Sequence, residues 1–250
     1  MEDLIYVENV NKTHEVHGKN ADVYALDIVN FKVRKGELFC ILGPSGCGKT
    51  TLLNIMAGFE KPTSGKVIID GKEVTKPNPN YVTMFQEYGL FSWRTVLENV
   101  AFGLEAKGVE ELKREKIAKE YIKMVHLEGF ENKYPSHLSG GMQRRVAIAR
   151  TLAVNPEIVF MDEPFAGLDA FTKTKMENEM IDILEREKKT IVIITHDIDT
   201  ALALGDKIMI LSNRPGKIKK IIEVDIERPR AKDNPKLLAI QKDIFSEFKL

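Results

Sequence analysis

The sequence predicts an α/β protein built around a parallel-rich sheet, and three observations lead to that prediction. Short apolar runs of strand length alternate with helical patterns, as at residues 157–162, 170–188 and 190–195. A glycine-rich turn at residues 43–50 follows one such apolar run and precedes a helical pattern. A stretch with only helical patterns, residues 87–155, interrupts the alternation. Strands that alternate with helices pair in parallel, with the helices covering the faces of the sheet.

The composition is that of a globular protein with balanced charge. The 250 residues include 37 Lys or Arg and 37 Asp or Glu, so the formal net charge is zero. General nucleic-acid binding needs an excess of basic residues, and we therefore expect no nucleic-acid partner. No apolar run approaches the roughly 18 residues of a membrane-spanning helix. The two cysteines, Cys40 and Cys47, do not suggest a disulfide framework and favour a reducing compartment.

Each further element is predicted from its local pattern. Strand patterns occupy residues 4–10, 25–33, 38–42, 66–72, 81–85, 157–162, 190–195 and 207–211. Helical patterns occupy residues 51–58, 95–126 and 170–188, and another helix begins after Ser139. In the second of these patterns, the apolar residues expected on one face are Leu112, Ile117, Tyr121, Met124 and Val125. Residues 235–250 predict a short amphipathic helix packed on the body, with a frayed tail as the alternative.

The glycine-rich turn has the pattern G-x-x-x-x-G-K-[ST] between a strand and a helix, which is typical of a phosphate-binding loop. Its glycines let successive backbone N–H groups point at one anion, and the helix N-terminus adds a partial positive charge. Lys49 reaches the β- and γ-phosphates, and Thr50 offers a hydroxyl to Mg²⁺. The expected nucleotide contacts are Gly43, Pro44, Ser45, Gly46, Cys47, Gly48, Lys49, Thr50 and Thr51. The chain is predicted to bind a nucleoside triphosphate.

The thiol of Cys47 lies inside this loop and allows two interpretations. The neighbouring helix N-terminus is expected to favour its thiolate, and an adduct on the sulfur would occupy space that the phosphates need. The alternative is that Cys47 points into the body as a small apolar residue.

Two acidic residues and a histidine follow neighbouring strand patterns. Asp162 ends the pattern at residues 157–162, where its carboxylate can hold Mg²⁺ directly or through water. Glu163 comes next and can polarise a water molecule aligned with the γ-phosphate. The alternative for this pair is an ordinary N-cap or turn at the end of the strand. His196 follows the pattern at residues 190–195 and can hydrogen-bond the γ-phosphate, although a lone histidine is more often structural.

A second anion-binding helix N-terminus is predicted at residues 138–143, Leu-Ser-Gly-Gly-Met-Gln. Ser139 is a natural N-cap, and Gly140 and Gly141 leave the first N–H groups of the helix unobstructed. One chain therefore carries two ends that can recognise phosphate.

With this motif the sequence resembles the ATP-binding cassette (ABC) ATPases, whose signature motif is LSGGMQ. The resemblance covers nearly the whole chain. The positions that match family motifs are Gln86 (Q-loop), Asp162 and Glu163 (Walker B), residues 167–169 (D-loop) and His196 (switch histidine). The resemblance implies a P-loop NTPase core with a parallel-rich sheet, an antiparallel β subdomain and an inserted α-helical subdomain. The implied boundaries within one domain are residues 1–86 and 156–235 for the core, 87–155 for the helical signature subdomain and 236–250 for a C-terminal helix.

The resemblance also implies a partner and a division of roles. In this family two cassettes pack head to tail, so ATP held by residues 43–51 of one copy would be capped by the signature of the other. The capping residues would be Ser139, Gly140, Gly141 and Gln143, and Asp169 of the D-loop would also lie at the nucleotide. The implied catalytic residues are Lys49, Gln86, Glu163 and His196, and the implied Mg²⁺ residues are Thr50, Gln86 and Asp162.

The adenine contact departs from the family pattern, which usually has an aromatic residue shortly after the first strand. His14 stands at the matching position. It either stacks on adenine, or is a loop residue while Val16 or Tyr24 takes that role.

The segments at residues 91–100 and 211–218 look like those of the ATPase subunits of nitrate, sulfonate and taurine importers. This resemblance implies transmembrane permease subunits as partners, a solute-binding protein as an indirect partner, and a location at the cytoplasmic face of the membrane. The transported solute does not follow, because the ATPase does not touch it. The alternative is a soluble cassette that serves in repair, translation or cofactor assembly. Repair cassettes need long coiled-coil heptads before the signature, and about 90 residues cannot hold them.

The segment after Gln86 is expected to link ATP binding to the membrane partner. A cleft between the core and the helical subdomain is where the importer family receives a short helix of its permease. Leu90, Phe91 and Trp93 are candidates to line that cleft, because aromatic anchors dominate such contacts. The alternative is that Trp93 packs in the core.

Overall fold

The computed structural model describes residues 2–15 and 22–248. The strands are β1 (Asp3–His14), β2 (Val23–Arg34), β3 (Leu38–Leu42), β4 (Ser64–Ile69), β5 (Lys72–Glu73), β6 (Tyr81–Met84), β7 (Ile158–Asp162), β8 (Thr190–Thr195), β9 (Lys207–Leu211) and β10 (Ile218–Glu223). The helices are α1 (Lys49–Ala57), α2 (Val96–Ala106), α3 (Glu111–Met124), α4 (Gly140–Ala153), α5 (Ala170–Glu187), α6 (Ile198–Leu204) and α7 (Pro235–Phe248), with one 3-10 turn at Pro135–His137. The predicted strand patterns all fall on observed strands.

The described strands form two sheets. The larger has the order β10-β9-β3-β8-β7-β6, with parallel pairing except between β10 and β9. The smaller has the order β2-β1-β4-β5 and is antiparallel. The parallel sheet follows from the strand–helix alternation in the sequence, because parallel neighbours need a crossover connection.

The central strands of the larger sheet are buried on both faces. On β3, Leu38, Cys40 and Leu42 pack towards the layer that contains α2, α3 and α4. Phe39 and Ile41 pack in the opposite direction, against α1 and the smaller sheet. Side chains alternate along a strand, so a strand between two apolar layers reads as a continuous apolar run. The sheet therefore carries a core on each face.

The helical pattern at residues 95–126 is divided into α2 and α3. Gly108 lies in the connection with a left-handed φ of 72°, which ends the first helix. Thr95 caps α2 through a reciprocal pair of hydrogen bonds with Glu98. The expectation that Leu112 shares the apolar face of α3 is wrong, since it is 75% exposed. It lies in the first turn of α3, whereas burial begins near Ala118, where the helix packs against α2 and α4.

The C-terminal segment is a helix packed on the body. Leu237 and Ile244 of α7 are buried, and Gln241 donates a hydrogen bond to Asp199 on α6. The frayed-tail interpretation is therefore wrong for the described part of this segment, which ends at Phe248. No helix among the described residues has the length and apolarity to cross a membrane.

Candidate ATP-binding and hydrolysis site

The candidate site lies where three adjacent parallel strands end. Leu42 at the end of β3 pairs with Thr195 at the end of β8, and Asp162 at the end of β7 pairs with Ile194. Ligands of open α/β sheets bind outside the carboxyl ends of the strands. The phosphate loop, the acidic pair and the histidine segment are therefore brought together by the strand order of the sheet.

The phosphate loop curls tightly in front of α1. Gly46 and Gly48 have left-handed φ values of 75° and 105°, a conformation that residues with a Cβ rarely adopt. A Cβ on Gly48 would also come within 2.6 Å of the carbonyl oxygen of Ala25. The Lys49 Nζ donates to the carbonyl oxygens of Gly43 at 2.7 Å and Pro44 at 2.9 Å. The ammonium is thus held at the loop whose N–H groups and helix N-terminus suit a phosphate chain.

The side chain of Cys47 points away from the expected phosphates. It is 1% exposed and belongs to the core between α1 and the smaller sheet. Burial raises the pKa of its thiol, and the nearby Lys49 charge lowers it less. The expectation of a favoured thiolate is therefore wrong, because desolvation outweighs the positive charge at the helix N-terminus. Only the backbone of Cys47 remains available as a phosphate contact.

Thr50 and Asp162 form an oxygen pair at the start of α1. The Thr50 hydroxyl donates to Asp162 Oδ2 at 2.8 Å. Asp162 is 2% exposed, and burial raises its pKa even though the Thr50 hydrogen bond lowers it. A hydroxyl and a carboxylate are the hard oxygen ligands that Mg²⁺ prefers, with phosphate and water oxygens completing the shell. These two residues therefore fit a magnesium site beside the loop.

Glu163 and His196 lie in direct contact. His196 Nδ1 lies 2.7 Å from Glu163 Oε1, and the Thr195 hydroxyl donates to Glu163 Oε2 at 3.1 Å. The backbone at Glu163 has a left-handed φ of 50°, while its N–H donates to the carbonyl oxygen of Ile194. Strained backbone of this kind clusters at functional sites. Both carboxylate oxygens are oriented, so the group is prepared to act on a positioned water molecule.

Arg144 is a buried residue of the site that the sequence interpretation missed. Its guanidinium donates to the carbonyl oxygens of Glu163 and Gln86, and it lies over the Tyr88 ring at 5.2 Å. It stands one position after the expected signature residue Gln143 on α4. No local pattern distinguishes it from the exposed arginines, so only the tertiary contact shows that it ties the helical layer to the site.

The expected signature residues begin α4. The Ser139 hydroxyl accepts from Met142 N at 3.3 Å, as an N-cap does, and Gln143 Nε2 donates to the Pro135 carbonyl at 2.9 Å. A Cβ on Gly141 would lie 3.3 Å from Leu168, beside the expected D-loop. Among the hydrogen bonds of the described residues, none joins residues 139–143 to residues 43–51. The two phosphate-recognising ends of one chain are thus not bonded to each other.

Comparison with known proteins places the chain in a family. The family model described as ABC transporter matches residues 26–166. An uncharacterised ABC transporter ATP-binding protein of Methanocaldococcus jannaschii is 52% identical over 249 residues, with 100% of this chain and 92% of the relative covered. The chain belongs to the ABC transporter family. This cassette is therefore an ATPase with the ABC ATPase fold, as the sequence predicts.

Two further relatives are informative about the cassette. The aliphatic sulfonates import ATP-binding protein SsuB of Bacillus cereus is 42% identical over 241 residues, with 96% of this chain and 95% of the relative covered. The ATP-binding cassette MJ0796, solved as a dimer in a post-hydrolysis state bound to ADP and Pi, is similar with a TM-score of 0.81. Its identity is 36%, and the match covers 90% of this cassette and 100% of the solved chain.

The remaining predicted residues of the cassette lie at its periphery. Gln86 is exposed just after β6, and its carbonyl is held by Arg144. Asp169 accepts a hydrogen bond from Thr172 N at 3.0 Å, and hydrogen bonding from the side chain and then the backbone of Thr172 lowers the pKa of its carboxylate. His14 is partly exposed, with Nδ1 lying 3.5 Å from Glu60 Oε1.

The candidate adenine contacts His14 and Tyr24 lie on the paired strands β1 and β2. Tyr24 is exposed on β2, next to the end of β1 that carries His14. Val16 lies outside the described residues. The structure thus leaves His14 and Tyr24 as the described candidates.

A groove of about 490 Å³ lies between β6 and the helical layer. Among its lining residues are Phe85, Tyr88, Phe91 and Phe102. Trp93 is not itself a lining residue but contacts Phe91, with ring centroids 5.4 Å apart, and is 72% exposed. The alternative that Trp93 packs in the core is therefore wrong.

Leu90 does not share the position of Phe91. It packs against the main core and is not among the residues that line the groove. The expectation that Leu90 lines the cleft is therefore wrong.

Proposed function

We propose that this chain is the ATP-hydrolysing subunit of a membrane importer for a small solute, and that two copies work as a head-to-tail dimer. The observation that carries the proposal is the separation of two phosphate-recognising ends. The phosphate loop precedes α1, the Ser139 end begins α4, and no hydrogen bond among the described residues joins them. A second copy can bring the N-terminus of its α4, which Ser139 caps, to each phosphate loop. The dimeric state of the solved cassette MJ0796 supports the same arrangement.

The importer assignment rests on the relatives and the groove. SsuB is named as an importer subunit for aliphatic sulfonates. We therefore propose an importer of the nitrate, sulfonate and taurine type, with permease subunits that hold this chain at the cytoplasmic face of the membrane. A solute-binding protein would deliver the cargo to the permease. The aromatic groove beside Trp93 is the proposed contact for a permease helix, since aromatic residues serve as anchors in such pockets.

The proposed chemistry assigns a role to each residue at the strand ends. Residues 43–51, including Ser45 and Thr51, hold the phosphates, and Lys49 neutralises the charge that develops on them. Thr50 and Asp162, with Gln86 nearby, would hold Mg²⁺, whose positive charge would offset the negative charge of the phosphates. Glu163 accepts a proton from the attacking water, and His196 orients that water.

The second copy completes the proposed site. Ser139, Gly140, Gly141 and Gln143 of the partner copy would cap the triphosphate, with Asp169 beside it. In this proposal residues 1–86 and 156–235 contain the nucleotide-binding core, residues 87–155 carry the signature, and residues 236–250 are the C-terminal segment that carries α7.

Mixing two inactive variants tests the arrangement. Lys49→Ala disables the phosphate loop and Ser139→Arg blocks the signature, so neither variant alone assembles a complete site. In a mixed dimer one loop and one signature remain intact and face each other, which should restore about a quarter of the wild-type rate in an equimolar mixture. The control mixes each variant with the double variant, which should restore nothing. A mixture as inactive as its components would contradict the two-copy site.

A further inference from the structure

The segment that carries His196 is anchored on both sides of the histidine. The Thr195 hydroxyl donates to Glu163 and accepts from the N–H of Asp197 at 3.0 Å. Asp197 Oδ1 accepts from Thr200 N at 3.1 Å and caps α6. The side chain of His196 is itself largely exposed. Its position is therefore set by its contact with Glu163 and by these two neighbours.

Lys173 on α5 connects this segment to the helix that follows the D-loop. Its ammonium forms an ion pair with Asp197 Oδ2 and lies 3.8 Å from Glu177 Oε1. The Lys173 N–H also donates to the carbonyl oxygen of Asp169 at 2.8 Å. Lys173 and Glu177 are mostly shielded from solvent, with 19% and 10% of their side chains exposed, whereas 38% of the Asp197 side chain is exposed. Ion pairs that are shielded from water are screened less than surface pairs.

The rest of α6 is held firmly in place. The Thr200 hydroxyl donates to Glu177 Oε1 at 2.8 Å. At the other end, Arg228 Nε donates to the Leu204 carbonyl, and Arg230 donates to the carbonyls of Leu202 and Gly205. These bonds satisfy the last carbonyl groups of the helix. The Lys173–Asp197 pair thus joins the His196 segment to two fixed helices.

We infer that Lys173 and Asp197 are positioning residues for hydrolysis, which act by holding His196 against Glu163. The inference rests on the proposed function, because it requires that the Glu163–His196 pair acts on the attacking water. Neither residue touches the reacting atoms. Misplacing a catalytic group by about 1 Å lowers the rate of the chemical step, and it does not prevent the substrate from binding. Loss of the ion pair should therefore lower kcat while KM for ATP stays unchanged.

The variants separate the ion pair from other roles of the two side chains. Asp197→Asn keeps a good N-cap for α6 but removes the charge. Lys173→Met keeps the aliphatic stem, and Lys173→Arg keeps the charge. Lys175→Met is the matched control, because Lys175 is exposed two positions further along the same helix and pairs with the Phe171 ring.

Steady-state and single-turnover ATPase assays give the primary readout. We expect Asp197→Asn and Lys173→Met to lower kcat about tenfold with KM within twofold of wild type. Lys173→Arg should recover most of the rate, and Lys175→Met should match wild type. Wild-type kcat in both charge-removing variants would overturn the inference while leaving the proposed function intact; a wild-type chain that does not hydrolyse ATP would refute the proposed function itself.

The His196→Ala background provides the decisive comparison. If Lys173 acts through His196, Lys173→Met should lower the single-turnover rate no further in that background. An equal further loss there would show that the ion pair acts elsewhere and would overturn the inference. The thermal unfolding of each variant is measured to check that the variant folds. If Lys173→Met does not fold, Asp197→Asn is compared in the wild-type and His196→Ala backgrounds instead. The same criteria then decide whether the ion pair acts through His196.

Discussion

At the scale of single residues, Asp162 is a carboxylate whose charged form is disfavoured by its surroundings. Asp162 is almost fully buried, and burial raises its pKa above the ordinary value of an aspartate. A raised pKa in the folded state means that the charged form is disfavoured by folding. Stability from this group is present below the ordinary pKa and is lost as the pH rises through the raised value. At neutral pH, ionised Asp162 therefore destabilises the nucleotide-free protein.

The variant Asp162→Asn tests this balance between stability and function. The amide removes the buried charge and its oxygen still accepts from Thr50, so the nucleotide-free variant should melt at a higher temperature than wild type at pH 7.5. The difference should shrink as the pH is lowered. Magnesium-dependent binding of ATP should weaken at least tenfold, because the carboxylate ligand is lost.

Asp225→Asn serves as the control for this variant, since Asp225 is an exposed aspartate away from the loop. Differential scanning fluorimetry in EDTA and titration with MgATP supply the two measurements. A lower melting temperature for Asp162→Asn would contradict the account of Asp162.

At the scale of elements, the groove between β6 and the helical layer separates the hydrolysis site from the proposed membrane partner. The segment after β6 is held in place by Arg150, which donates to the carbonyls of Tyr88 and Gly89, and by Asn99, which bonds to Phe91. Arg144 connects the Gln86 carbonyl to that of Glu163. The segment therefore joins the groove to the backbone of Glu163 through a short series of hydrogen bonds.

The variant Trp93→Ala tests the groove as the permease contact. Because Trp93 is largely exposed, its truncation should change the melting temperature of the isolated subunit by less than about 2 °C, well below the loss for a buried aromatic. Basal ATP hydrolysis should stay near wild type, while binding to permease subunits in membranes and solute transport should fall at least tenfold.

Leu112→Ala is the matched control for Trp93→Ala, since Leu112 is an equally exposed apolar residue on the same helical layer. Leu112→Ala should leave both permease binding and solute transport unchanged. Co-purification from membranes and transport in reconstituted vesicles measure the effect, and undiminished transport by Trp93→Ala would refute the proposed contact.

At the scale of the whole molecule, the sequence predicts the strand-end site well and its surroundings poorly. The phosphate loop, Glu163 and His196 each follow an apolar strand and Asp162 ends one, and parallel pairing of those strands brings them to one edge. The local sequence pattern and the strand topology are enough to predict where these residues lie. The direction of a side chain within a loop or in the first turn of a helix depends on tertiary packing instead. Cys47 turned inward and Leu112 turned outward for that reason.

Long-range contacts also escape sequence interpretation. Arg144 reaches carbonyls 19 and 58 residues away along the chain. Lys173 contacts Asp197 across the space between two helices. Nothing in the local sequence of either residue marks these partners, because a charged residue on a helix is usually solvated.

The most direct test of the two-copy account is the size of Glu163→Gln in solution with ATP and without Mg²⁺. The amide can still orient water but accepts a proton poorly, so hydrolysis should fall at least a hundredfold while ATP binding is preserved. Size-exclusion chromatography with light scattering should then show a stable ATP-bound dimer that is absent without ATP. Adding Ser139→Arg to this variant should abolish the dimer. A Glu163→Gln chain that stays monomeric with saturating ATP and hydrolyses it at the wild-type rate would contradict the account.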